Sequence, residues 1–263
     1  MRQAVAQIVL ACAILIAGGV RALAMPVLIS ESPWGADEDF QNFTTVFGAG
    51  GFVSYSTFSG ADPTAIFVPN NNFVMVEGGA DSDAAFQTYL ADNQGSILNW
   101  VQDGGTLLLQ SAGWDPGTYG IGPGSLVQDL YFNASNCGTL TPAGRSMLTG
   151  TDPTQCGEYL AHDYVSGTGL TALMIGSNTG ATIIAETQYG NGYIVYSGLT
   201  DSEWNYSGPS LVNSLIIRSD HLPVQTIPEP YGVTLLAMGL SALPVVRRSR
   251  SAFPHRARLR TLG

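Results

Sequence analysis

The stretch Thr106-Leu107-Leu108-Leu109-Gln110 constrains this chain most. Its core is wholly apolar, without the polar alternation of a half-exposed strand, and it is too short for a buried helix. Such a run is a strand covered on both faces. Val27-Leu28-Ile29-Ser30 and Phe73-Val74-Met75-Val76 read the same way, and Phe52 to Tyr55 is a shorter strand. Helical patterns lie between them. Asp37-Glu38-Asp39 opens one helix, with acids at the positive end of its dipole. Phe40, Phe43 and Phe47 share a face of it, and Gly48 can cap it. A second helix starts at about Asp83 with Phe86, Tyr89 and Leu90 inward. It is interrupted near Gly95, resumes through Ile97, Leu98 and Val101, and ends at Asp103-Gly104-Gly105. Trp100 in this helix reads as core. Buried strands alternating with helices predict an α/β domain with a mostly parallel central sheet.

After Ser111 the character changes. Gly113 to Gly124 is rich in glycine and proline. The segment to Cys156 is predicted as mostly loop, with a short helix near Leu126 to Leu130. Thr182 to Thr187 and Tyr193 to Ser197 are two more strands, and Tyr189-Gly190-Asn191-Gly192 between them reads as a hairpin turn. Leu211, Leu215 and Ile216 mark a final helix.

Both ends of the chain carry address-like segments. Arg2, the apolar run Ile8 to Val20 and Ala22-Leu23-Ala24 form a secretory signal peptide over residues 1–24. Residues 25–222 are then the folded domain, 223–227 a linker and 228–263 a tail. The tail reads Pro228-Glu229-Pro230, then 16 uncharged residues over 231–246, then a cluster opening Arg247-Arg248-Ser249-Arg250. The prolines mark a boundary, because they cannot continue a helix or a central strand. The apolar run is expected to be a C-terminal transmembrane helix, slightly short of the ~17–25 residues usual for a span, with the arginines cytoplasmic.

Charge matters once these ends are set aside. Met25 to Ile227 holds two basic residues, Arg145 and Arg218, against nineteen acids, for a net −17. Such a surface repels phosphate backbones, so nucleic acid is excluded as a partner. Cys12 leaves with the signal peptide. Cys137 and Cys156 remain as an even pair in an exported chain, which predicts a disulfide. A metal site is the alternative, but no histidine pair stands near them. No metal or cofactor is expected.

The tail resembles the PEP-CTERM sorting signal: Pro228-Glu229-Pro230, a short membrane helix and a terminal arginine cluster, in that order. The resemblance implies an exosortase-type transpeptidase as partner, a precursor held at the inner membrane, cleavage near Pro-Glu-Pro, and delivery of the body to the cell surface or exopolysaccharide matrix. The body resembles a class I glutamine amidotransferase-like domain, which implies a flavodoxin-like sandwich. The carrying residues are Val74-Met75-Val76-Glu77-Gly78-Gly79, Trp100-Val101-Gln102-Asp103-Gly104-Gly105 with the strand after it, and Tyr189-Gly190-Asn191-Gly192-Tyr193-Ile194-Val195. Leu211-Val212-Asn213-Ser214-Leu215 also fits. The family's nucleophilic cysteine is Ser111 here. Leu199-Thr200-Asp201-Ser202-Glu203 stands where the family has its histidine and glutamate. A serine without a base is a weak nucleophile. The resemblance therefore implies a domain without catalytic residues. The alternative is a hydrolase or amidase using Ser111 with Asp201 or Glu203.

In a parallel sheet, ligands bind outside the carboxyl ends of the strands. That edge is expected to collect Glu31 and Trp34, then Glu77, Gly78 and Gly79, then Ser111, Trp114 and Asp115, and finally Asp201 and Trp204. Aromatic faces beside carboxylates suit a saccharide. Packing of the tryptophans over the sheet end is the other reading. Asp37-Glu38-Asp39 and Asp81-Ser82-Asp83 offer oxygens for calcium, or simply begin helices.

Overall fold

The apolar runs become the central strands. The computed structural model describes residues 25–31, 36–79, 82–113, 116–128, 137–157, 160–200 and 210–222. The chain divides into two units, Met1–Gln225 and Thr226–Gly263, and every described residue belongs to the first. Strand β1 (Val27–Glu31) leads to helix α1 (Ala36–Phe47), β2 (Val53–Tyr55) and the short helix α2 (Pro63–Ile66). Asp62 caps α2 by accepting from the Thr64 N–H at 2.9 Å, and Pro63 occupies its first turn. Then come β3 (Phe73–Gly78), α3 (Asp83–Gln102) and β4 (Thr106–Ser111). Every residue of β3 and β4 is buried. Helix α3 runs unbroken through Gly95, where an interruption was predicted. Burial of Phe86, Leu90, Ile97 and Val101 along one face outweighs the ~1 kcal/mol cost of one helical glycine.

The segment predicted as loop is folded too. It forms β5 (Gly117–Ile121), β6 (Gly124–Gln128), β7 (Cys137–Leu140), α4 (Pro142–Met147) and β8 (Thr154–Cys156). Strands β9 (Asp163–Gly167), β10 (Thr171–Gly176), β11 (Thr182–Tyr189) and β12 (Gly192–Ser197) follow, and α5 (Ser210–Asp220) ends the described chain. Where a short helix was expected near Leu126, β6 runs instead. Gly122, at φ 64°, turns β5 back on β6, and Tyr119, Ile121 and Leu126 point inward at every second position.

Nine strands form one sheet in the order β2-β1-β3-β4-β12-β11-β10-β7-β8, and β5-β6-β9 form a second. The large sheet is parallel from β2 to β12. From β12 to β8 every pairing is antiparallel, as are both pairings of the small sheet. Six of the ten pairings are thus antiparallel, which overturns the expected mostly parallel, flavodoxin-like sandwich. The physical reason is that an unbroken apolar run reports burial on both faces and says nothing of direction. The Gly190-Asn191 turn leaves too little chain for a parallel crossover, so β11 and β12 must pair antiparallel. The membrane helix expected over 231–246 has no counterpart among the described residues either. Those residues lie outside the described ones, and no described helix is long and apolar enough to cross a membrane.

Two cores flank the large sheet. On one face α3 and the small sheet cover Val74, Val76, Leu107, Leu109 and Tyr196. On the other, α1 and α5 cover Leu28, Phe73, Met75, Leu108 and Val195. The Tyr196 hydroxyl joins the sheets, donating to Ile121 O at 2.6 Å and accepting from Gly124 N at 3.0 Å. Cys137 and Cys156 are directly opposite in the β7–β8 ladder and are disulfide-bonded. The large sheet ends at both sides in strands of only three residues, β2 and β8. Arg145 Nη1 donates to Leu140 O at 2.8 Å, and Arg218 pairs with Glu186 at 3.2 Å.

Candidate functional site

The carboxyl ends of β1, β3, β4 and β12 lie at one edge, because these four strands are parallel neighbours. Their register places Ser30 beside Glu77, Glu77 beside Gln110, and Gln110 beside Ser197. Parallel neighbours in register point to the same face, so the chain lays a polar row across an apolar sheet. This row lies on the face that α1 and α5 cover, and all four side chains are buried. Asp39 of α1 joins it. The Ser30 hydroxyl stands 2.7 Å from Asp39 Oδ2 and 2.8 Å from Glu77 Oε2. A serine has one proton to donate, so both short contacts are satisfied only when one carboxyl group also carries a proton. Gln110 is wholly buried, and its amide finds no hydrogen-bond partner among the described residues.

A second cluster occupies the other face. Ser111 is the last residue of β4 and is fully buried. Asp163, at the start of β9, is also fully buried. Burial pushes the Asp163 carboxyl up to about 8, the Ser111 hydroxyl opposes this by favouring the charged form, and the charge of Asp83 adds to the rise. His162 next to it places Nδ1 2.7 Å from Thr200 Oγ1. Burial pulls the His162 imidazole down to about 4, so the ring is neutral at neutral pH. His221 stands apart at the end of α5, 3.8 Å from Asp220. Thus the carboxyl near Ser111 leans toward its protonated form, and the His162 imidazole is engaged with a threonine.

The residues predicted for ligand binding divide into two groups. Glu31 accepts a hydrogen bond from the Phe58 backbone N–H and so fixes the turn after β2. Glu77 is committed to Ser30. A Cβ on Gly78 would lie 2.5 Å from the Phe86 ring, and one on Gly79 would lie 2.0 Å from Ala112 O. These glycines let α3 and the end of β4 approach β3 closely. Trp34, Trp114, Asp115, Asp201, Glu203 and Trp204 lie outside the described residues, as do Pro228, Glu229 and Pro230. Strand β12 runs parallel to β4, so the chain leaves it toward the same edge as β1, β3 and β4. Among the described residues no group of three or more His, Cys, Asp or Glu is placed to hold a metal ion. Sequence reasoning read Asp163 only as part of a polar-aromatic loop with Tyr159, His162 and Tyr164, and did not place it near Ser111 or pair Asp39 with Glu77. Their positions, on β9 and α1, become informative only once strand register is known.

No family model matches this chain, and no curated protein matches it. Among solved structures it is similar to a β-galactosidase from Bacillus circulans sp. alkalophilus, at 12% identity and TM-score 0.46, over 74% of this chain and 30% of that one. It is similar to a β-galactosidase from Rahnella sp. at 12% identity and TM-score 0.43, over 73% of this chain and 30% of that one. A cytoplasmic protein from Salmonella typhimurium matches at 12% identity and TM-score 0.44, over 73% of this chain and 97% of that one. The chain thus spans about 30% of the length of both galactosidases. At this level of similarity no activity is carried over.

Proposed function

We propose that this chain is an exported surface or exopolysaccharide-associated protein, sorted through its tail, whose domain binds a polar ligand such as a saccharide and performs no chemistry on it. The observation that carries the non-catalytic part is the state of Ser111. It is fully enclosed, the buried carboxyl near it is held near 8, and the His162 imidazole is engaged with Thr200. A serine nucleophile needs an exposed oxygen and an available base, and neither condition is met there. The Cys137–Cys156 disulfide favours an oxidising compartment. Pro228-Glu229-Pro230 with its arginine cluster, and the signal-like segment at the N-terminus, favour export and exosortase processing. The acidic body suits solubility outside the cell and disfavours nucleic acid.

Mass spectrometry of the protein recovered from the cell surface tests this reading. The mature chain is expected to begin near Met25 and end between Pro228 and Pro230, and Glu229→Ala is expected to leave the tail attached. An intact tail on wild-type surface protein, in cells with an active exosortase, would count against sorting. A Ser111→Ala variant that abolished a hydrolytic activity of the purified chain would overturn the non-catalytic part.

A further inference from the structure

The amino edge of the same parallel strands carries a recess that the sequence does not announce. A cavity of about 280 Å³ opens between the C-terminus of α3 and the chain from α2 into β3. Trp100 forms its base, only 5% exposed, with its indole N–H donating to Asn71 O at 2.8 Å. The Phe67 ring stands against it, centroids 5.4 Å apart and planes at 58°. Gly105 lies directly on the indole, where a Cβ would be 2.2 Å from Cε2. The walls are tied down as firmly. Asn71 Nδ2 donates to Ile66 O at 2.7 Å, and Thr106 N donates to Asn72 O at 2.8 Å. Gly104 N and Gly105 N close the end of α3 on Val101 O and Trp100 O at 2.9 and 3.0 Å. The recess is therefore preformed, and a ligand would meet little ordering cost.

Its chemistry is selective. Asn72, Ser96 and Asn99 place exposed polar side chains around it, offering donors and acceptors without net charge. Half-buried Phe67 adds an apolar face. The negative end of the α3 dipole and the exposed Asp103 disfavour anions. The volume is near the lower limit of ~300–1,000 Å³ for small-molecule clefts, which suits one ring rather than a long chain segment. We propose that this recess binds a neutral saccharide unit, with ring hydroxyls on Asn72, Ser96 and Asn99 and a C–H face on Phe67. The site stands on the opposite edge of the sheet from the carboxyl ends and does not depend on the export reading.

The test is an amide-resolved NMR titration of the purified full chain with D-glucose, N-acetylglucosamine and D-glucuronate. With the neutral sugars, shifts are expected at Asn72, Ser96, Asn99 and Gly104 and at the Trp100 indole N–H. Asn99→Ala, an exposed change, is expected to weaken binding about three- to ten-fold, the scale of one neutral hydrogen bond. Phe67→Ala is expected to weaken it further, and glucuronate to bind less well than glucose. The proposal is overturned by no shift at about 10 mM sugar, a concentration ten times the ~1 mM Kd scale of weak binding. It is also overturned by shifts confined to other parts of the molecule, by unchanged affinity in Asn99→Ala, or by glucuronate binding as tightly as glucose.

Discussion

Asp163 and His162 are adjacent in sequence, and burial moves their pKa values in opposite directions. The Asp163 carboxyl rises from 3.8 to about 8, so its contribution to stability is full below pH 3.8 and is lost as pH rises toward 8. The His162 ring falls from 6.5 to about 4, so its contribution is full above pH 6.5 and is lost as pH falls toward 4. Between pH 4 and 6.5 the two slopes oppose each other, and between 6.5 and 8 only the Asp163 decline remains. Urea unfolding across that upper window is expected to show falling stability in the wild type, and a flatter profile in Asp163→Asn, which cannot ionise. An Asp163→Asn profile as steep as the wild type would remove Asp163 as the cause. Gly95 gives a second prediction at this scale. It sits within α3 with open space where a Cβ would go. Gly95→Ala is expected to stabilise the chain by about 0.5–1 kcal/mol, read as a raised denaturant midpoint. Glycine at this position made the sequence look like two helices, because propensity is local and the burial that overrides it is not.

At the scale of elements, the strands through the centre were legible because burial on both faces leaves an apolar run that needs no partner to be read. Val27 to Ser30, Phe73 to Val76 and Thr106 to Gln110 all fall within β1, β3 and β4. Strands β5 to β10 were not read from the sequence. In β5 to β9 apolar residues come one or two at a time among glycines and polar residues, and pairing partners lie up to 43 positions away, as Gly124 and Gly167 do in β6 and β9. Direction was equally hidden, since alternation with helices suggested crossovers that the second half does not make. The candidate site was half legible for a related reason. Glu31, Glu77 and Ser111 were found at strand ends, but their roles depend on partners such as Phe58, Ser30 and Asp163 that only the fold brings near. Two predictions belong here. Gly78→Ala would press a Cβ to 2.5 Å from the Phe86 ring and is expected to cost about 1–3 kcal/mol as overpacking, seen by denaturant unfolding. Reducing the Cys137–Cys156 bond, 19 residues apart, is expected to cost roughly 3 kcal/mol in the chain-entropy model, seen as a lower thermal midpoint under reductant. Alkylation without reduction is expected to label neither cysteine.

At the scale of the whole molecule, both arginines among the described residues are already engaged, one on a backbone carbonyl and one on Glu186. The acidic surface is therefore little offset by free cations, and self-association of the chain is expected to rise with salt as like-charge repulsion is screened. Sedimentation at low and high ionic strength checks this. The short outer strands carry a different consequence. On the surface location proposed above, the chain would be held among many copies of itself at high density, and exposed strand edges are where such crowds begin to polymerise. Here a neighbour approaching either side of the large sheet finds a ladder of three residues, and on the β8 side that ladder is stapled to β7. A layer of these domains can be dense without becoming fibrous.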